Sequence, residues 1–192
     1  EAFETVLNGM PVYLINGEPI RASGSVYSLD AKLDAEKYAF FSLAALELPR
    51  QINWQPDIVH GNDWHTALSL DGSLTKRWEE GARKVAALIT LHNLPFMGPD
   101  VSSILESYGV KLAQTDLPDW ARVLPLPLGL WASDAIVAVS PTYGREILTP
   151  EYGCGLDEFL QTRRETVHGI INGLDTDSFN PANDSALGVN YD

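Results

Sequence analysis

The chain of 192 residues has one cysteine, Cys154, so no disulfide can form within it, and a reducing, cytoplasmic compartment is the natural setting. Positive charge is scarce. Thirteen Lys and Arg stand against 26 Asp and Glu, a formal net charge of −13, and a surface so acidic argues against a nucleic-acid or anionic-membrane partner, each of which needs a basic face. No run is long and apolar enough to span a bilayer, and the opening Glu1-Ala2-Phe3-Glu4 has no signal-peptide form. Internal repeats and low-complexity tracts are missing too, as is an initiator methionine, which makes the sequence readable as a piece of a longer chain. Its length suffices for one domain with a buried core.

What is present is a set of short apolar runs, each breaking into polar residues. Pro56-Asp57-Ile58-Val59-His60-Gly61 runs into Asn62-Asp63-Trp64-His65; Val85 to Leu91 runs into His92-Asn93-Leu94-Pro95; Asp134 to Val139 into Ser140-Pro141-Thr142-Tyr143; Val167 to Ile171 into Asn172-Gly173. Continuous rather than alternating apolar runs predict strands buried on both faces of a mainly parallel sheet, and so an α/β, Rossmann-like fold with helices on both faces. Ligands of such sheets bind where strands end, so the four ends should share one edge. His60, His65 and His92 should converge there. Ser140 suits an N-cap and Pro141 the first helical position.

Between these runs the pattern predicts one or two strands and a loop over residues 1–29, and a helix over 35–48 capped by Asp34 and ended by Pro49. Tyr38, Phe41, Ala45 and Leu48 would form its packing face. A further helix is expected over 66–84, short helices and loop covering the rim over 99–130, a helix over 143–148 and another within 151–164. The stretch after Pro181 reads as linker.

Asp63-Trp64-His65, His92-Asn93-Leu94, Val139-Ser140-Pro141-Thr142-Tyr143 with Glu146-Ile147, Tyr152 to Asp157, and Gly169 to Asp175 with Asn180-Pro181 follow one another in an order and spacing that resemble bacterial glycogen synthases and plant starch synthases. Asn8 to Ile15, Arg21 to Tyr27 and Lys37 to Phe41 are similar as well. The resemblance implies half of a two-domain GT-B glycosyltransferase that moves glucose from ADP-glucose to the non-reducing end of an α-1,4-glucan with retention of configuration. It implies no cofactor beyond the sugar nucleotide. Residues 1–180 would be the N-terminal, acceptor-side domain without its first strand and Lys-x-Gly-Gly loop, and residues 181–192 the start of the interdomain linker. The nucleotide-binding C-terminal domain would be missing, and the chain alone inactive.

The resemblance assigns His92 a place beside the donor glucose near the reacting carbon, and Asp63 a share in holding the sugars; these two are the candidate catalytic residues. An oxocarbenium-like transition state gains from a nearby carboxylate and from oriented polar groups. Tyr27 and Trp64 offer flat faces to a sugar ring, with Asn62, His65 and Asn93 as further substrate-binding candidates. Trp64 reads equally as packing under the following helix, and His60 and His168, inside strands, as satisfied core groups. Pro95, Phe96 and Met97 depart from the Ala-Tyr-Gln usual in the family, Pro127-Leu128-Gly129 replaces a Lys-Gly-Gly, Leu43 an Arg and Phe179 a Trp. These departures keep open a related enzyme with another sugar nucleotide or acceptor. A non-catalytic glucan-binding module and a metal hydrolase using His60, Asp63, His65 and His92 are the other classes considered. No common zinc spacing supports the last.

Overall fold

The computed structural model describes residues 1–70 and 85–191. Strands β1 (Ala2–Leu7) and β2 (Met10–Ile15) form an antiparallel hairpin. Its turn is Asn8-Gly9, with φ of 51° and 79°, the left-handed pair that a tight two-residue hairpin turn requires. Short helix α1 (Glu18–Arg21) and an exposed loop lead to the long helix α2 (Ala31–Gln51).

The main sheet has four strands in the order β3 (Ile58–Asn62), β4 (Ala86–Leu91), β5 (Ala135–Ala138), β6 (Val167–Gly169), all parallel. The register sets Asn62 beside Thr90, Leu91 beside Ala138 and Ala138 beside Gly169, so the four C-terminal ends lie on one edge, as expected. In β4 the successive residues Ile89, Thr90 and Leu91 are all buried, which covers both faces of that strand. The outer strands differ from expectation. Among the described residues β3 and β6 are edge strands: Ile58, Ile170 and Ile171 are exposed, and the apolar runs carry no mark of which strands end up outside.

Helix α3 (Asp63–Thr66) begins at once after β3 and passes into a 3₁₀ turn, Ala67–Leu70, whose four residues are all buried. The expected helix over 66–84 lies outside the described residues from 71 to 84. After β4 come α4 (Ser102–Ser107), a 3₁₀ turn at Asp119–Ala121, and α5 (Pro125–Ala132). The short helices expected over 99–130 are present, but α5 does not cover the rim: it is a core helix that buries Leu126, Leu128 and Leu130 against residues 67–70 and β4. Pro125 and Pro127 fit its first turn, where backbone N–H groups have no helical partner. Arg163 donates to the carbonyls of Leu130 (2.9 Å), Trp131 (2.7 Å) and Ser133, closing its C-terminus. Burial lowers the pKa of that guanidinium from its ordinary value, with Asp116 and Asp134 acting against the shift. Helix α6 (Pro141–Glu146) carries the expected cap, with the Tyr143 N–H donating to Ser140 Oγ at 2.9 Å; α7 (Asp157–Thr162) precedes β6.

Helix α2 corrects three expectations. It starts four residues early: Asp30 is the cap, accepting from Lys32 N–H at 2.9 Å, and Asp34 lies inside. Pro49 falls within the helix and not beyond it. The buried face is Ala35, Ala39, Ser42, Leu46 and Pro49, one position round from the one drawn from Tyr38, Phe41, Ala45 and Leu48, which are only half-buried. Small side chains at 35, 39 and 42 let α2 approach α3, and that close approach outweighs the larger residues in choosing the face. Among the described residues no helix is long and apolar enough to cross a membrane.

Gly169 marks the tightest backbone approach between β6 and α6. A Cβ there would meet Pro141 Cα at 2.3 Å and Pro141 N at 2.5 Å. Gly169→Ala is expected to lose about 1–3 kcal/mol by overpacking. Gly173→Ala, where nothing lies within 4 Å, should be near neutral. Urea unfolding of both variants checks this, and equal midpoints would refute it.

Candidate active site

The end of β3 sets the geometry. Asp63 adopts φ 52°, a left-handed conformation rare for a residue with a side chain. Its Oδ1 accepts the backbone N–H of His92 at 2.8 Å and that of Asn93 at 3.4 Å. One carboxylate thus ties the end of β3 to the turn after β4. Beside it His92 Nε2 stands 3.1 Å from Asn62 Oδ1. With the amide oxygen as acceptor, Nε2–H is the donor of this bond. Both Asn62 and His92 are exposed.

The turn itself is held by main-chain atoms. The Leu94 N–H donates to the Tyr143 hydroxyl at 2.8 Å, Phe96 N–H to the Asn93 carbonyl at 3.2 Å, and Leu126 N–H to the Met97 carbonyl at 3.1 Å. Burial raises the pKa of Tyr143, and the Leu94 N–H partly offsets this. Gly98 turns at φ +83°, and a Cβ there would strike Pro125 and, at 2.7 Å, the Trp64 indole.

Next to Asp63 lies a cavity of about 590 Å³, walled by Tyr27, Asp63, Trp64, His65 and Asn93 on one part and Pro95 to Gly98 on the other. Tyr27 is exposed; Trp64 is buried, its indole edge-on to Tyr38 at 4.7 Å and 4.2 Å from the His65 ring. His65 lies amid Tyr27, Tyr38 and Trp64, with Nε2 buried and without a hydrogen bond among the described residues. Desolvation lowers its pKa below 6.5, opposed by Asp63 and Asp34 and reinforced by Lys37. Burial, followed by Asp34 and Tyr27, pushes Tyr38 up to about 12, so its hydroxyl stays a donor.

The sequence-derived candidates therefore separate into two adjoining groups. Tyr27, Asp63, Trp64, His65 and Asn93 line the cavity, while Asn62 and His92 stand on the open edge beside it. Trp64 both packs in the core and floors the cavity. Of the other two histidines, His60, exposed on an outer strand, pairs with Thr90 Oγ1 at 2.7 Å and does not line the cavity, and His168 is also exposed, so neither is the core group expected. Among the described residues no three His, Cys, Asp or Glu stand close enough to hold a metal. Sequence reasoning gave Tyr143 only a place in a motif. No hydrophobic pattern signals a hydroxyl that serves a backbone amide 49 residues away.

The family model for the starch synthase catalytic domain matches residues 1–162. The chain belongs to that family. It is 36% identical over 200 residues to a glycogen synthase of Streptococcus sanguinis (strain SK36), covering 97% of this chain and 40% of that protein. A glycogen synthase of Streptococcus pneumoniae serotype 19F (strain G54) is 34% identical over 194 residues, covering 98% of this chain and 40% of the relative. Among solved structures, the catalytic domain of starch synthase IV from Arabidopsis thaliana, bound to ADP and acarbose, superposes with a TM-score of 0.79 at 31% identity, over 99% of this chain and 40% of the other. The chain spans about 40% of the length of these relatives. In this starch synthase family member the parallel sheet is that of a GT-B glycosyltransferase.

The depressed His65 value has a consequence for stability. In the fold His65 takes up its proton at a lower pH than in the unfolded chain, where it does so near the ordinary 6.5. The stability it contributes is full above that value and is lost as pH falls through and below it. His65→Gln should flatten this part of the curve. Thermal melts of parent and variant from about pH 8 to about pH 5 test it, and parallel curves would refute it.

Proposed function

We propose that this chain is the acceptor-side part of a retaining glucosyltransferase that transfers glucose from ADP-glucose to the non-reducing end of an α-1,4-glucan. The observation that carries the reading is the joint at Asp63, where one carboxylate lines an aromatic-walled cavity and also holds the backbone of His92 on the open edge. A cavity floored by Trp64 and flanked by Tyr27 and Phe96 suits stacked sugar rings, which bind through apolar faces and edge hydroxyls. The Arabidopsis relative is bound to ADP and acarbose, which supports a nucleotide donor and a saccharide ligand for the family's catalytic domain.

In this reading a glucan end enters the cavity, and the donor glucose sits above the edge near His92. Asp63 supplies negative charge to the oxocarbenium-like state, and His92, its Nε2–H engaged by Asn62, supplies an imidazole of fixed orientation beside it. Asn62 fixes the imidazole. Asn93 contacts sugar hydroxyls, and His65, neutral within its aromatic surround, completes the wall. The one-cysteine composition fits a cytoplasmic enzyme.

Among the described residues no lysine or arginine lines the cavity, so the part of the site they form offers no clamp to charge growing on a departing diphosphate. The 192-residue chain by itself is therefore expected to give no measurable transfer from ADP-glucose to glycogen. Robust turnover by the rigorously purified chain would overturn this. Pro95, Phe96 and Met97 offer no hydrogen-bonding side chain, which favours as second reading a family enzyme with another acceptor.

His92 supplies the deciding variant. It is exposed, and its side chain bonds only to an exposed Asn62 among the described residues, so in a full-length enzyme carrying this domain His92→Ala should shift stability by less than about 0.5 kcal/mol. The same variant should lower kcat by about 100-fold or more. Thermal melting and steady-state kinetics on one preparation test both halves. A large fall in melting temperature with a proportionate loss of rate would assign His92 to structure.

A further inference from the structure

The loop that carries Tyr27 has no core beneath it. Val26, Tyr27 and Leu29 are 68%, 61% and 110% exposed, so apolar burial does not explain why residues 23–28 keep one conformation. What holds them is polar and comes from α2. Lys37, only 6% exposed, places Nζ 2.9 Å from Ser23 Oγ, 3.1 Å from the Ser25 carbonyl, 2.6 Å from the Val26 carbonyl and 3.0 Å from Asp34 Oδ1. Asp34, 7% exposed, accepts the Ser28 N–H with both oxygens at 3.1 Å. The Tyr38 hydroxyl donates to the Val26 carbonyl at 2.6 Å. The bonds grip the backbone on both sides of Tyr27, whose ring is left free to lie 5.4 Å from that of His65.

We propose that Lys37, paired with Asp34, is a positioning residue of the saccharide cavity: it fixes the 23–28 backbone so that the Tyr27 ring forms one wall. The inference rests on the reading of that cavity as a sugar site. Burying an ammonium is unfavourable unless every proton finds an acceptor, and an apolar residue at 37 would serve a merely packed helix better. Here the acceptors are two loop carbonyls and a loop hydroxyl as well as a carboxylate. The ion thus spends its bonding capacity on an exposed segment, and Tyr27 is the side chain of that segment that reaches the cavity.

The test combines amide hydrogen exchange with binding of maltopentaose to the 192-residue protein. Lys37→Met with Asp34→Asn removes both charges together, so that no buried carboxylate is stranded. Tyr38→Phe removes only the hydroxyl and keeps the ring, providing a milder variant should the double one not fold. Each should speed exchange of amides 23–28 by about tenfold or more, with β4 and β5 unchanged. Each should also weaken maltopentaose binding, and neither should weaken it further once Tyr27→Ala is present. Unchanged exchange in 23–28 would overturn the anchoring itself. Losses that add fully to that of Tyr27→Ala would show that Lys37 and Tyr38 act elsewhere. If Tyr27→Ala leaves maltopentaose binding intact while the loop loosens in the other variants, the sugar reading of the cavity fails, and the role of Lys37 toward saccharide falls with it.

Discussion

Two parallel strands end side by side at Asn62 and Leu91, and the amides that follow β4 have no further strand to bond to. The Asp63 carboxylate takes them, at 2.8 Å and 3.4 Å, from a backbone conformation that few residues with a side chain adopt. Everything at this edge depends on that arrangement. The left-handed turn starts α3 without a linker, which drops Trp64 into the core and sets His65 beneath Tyr27. The same bonds fix where residues 92–98 leave the sheet. A backbone strain of this kind persists only where the surroundings over-determine it, and such places cluster at functional sites.

Around that joint the electrostatics divide. The molecule carries 26 acidic side chains, yet among the described residues the cavity wall has one carboxylate, one amide, one imidazole and otherwise aromatic or apolar groups. Such a wall recognises shape and ring faces. It does not attract phosphate, and the acidic balance of the whole chain points the same way. Lys37, on the helix beside the cavity, is committed inside the fold to Asp34 and the loop.

The sheet was largely legible in the sequence because its signals are local: β4 and β5 are apolar runs with a capping Ser140-Pro141 after them, and their ends fall where the runs stop. Legibility failed where a tertiary choice decided. Whether a strand is central or outer depends on its neighbours, so β3 and β6 looked as buried as β4. On α2 the hydrophobic period pointed to the large residues, whereas close packing selected Ala35, Ala39 and Ser42 and sent a lysine inside. In the site, the residues adjoining in sequence, 62–65 and 92–93, were found through their strand ends. The grip of Lys37 and Tyr38 on the loop, and of Tyr143 on Leu94, joins groups with no common periodicity, and no reading of one segment at a time reveals it.

The turn after β4 is secured almost wholly through its peptide groups: the amides of His92, Asn93, Leu94 and Phe96 and the carbonyl of Met97 carry the bonds. Its exposed side chains at 95 and 96 are consequently spared from maintaining the scaffold, while Met97, half-buried against the core, and Gly98, where Trp64 and Pro125 occupy the space a side chain would need, are not. Such a turn works as an exchangeable cassette. Mutation can rewrite the lip of the cavity at 95 and 96 without a new backbone having to be invented each time. Side-chain change along this turn is therefore least constrained at positions 95 and 96 and most constrained at 98.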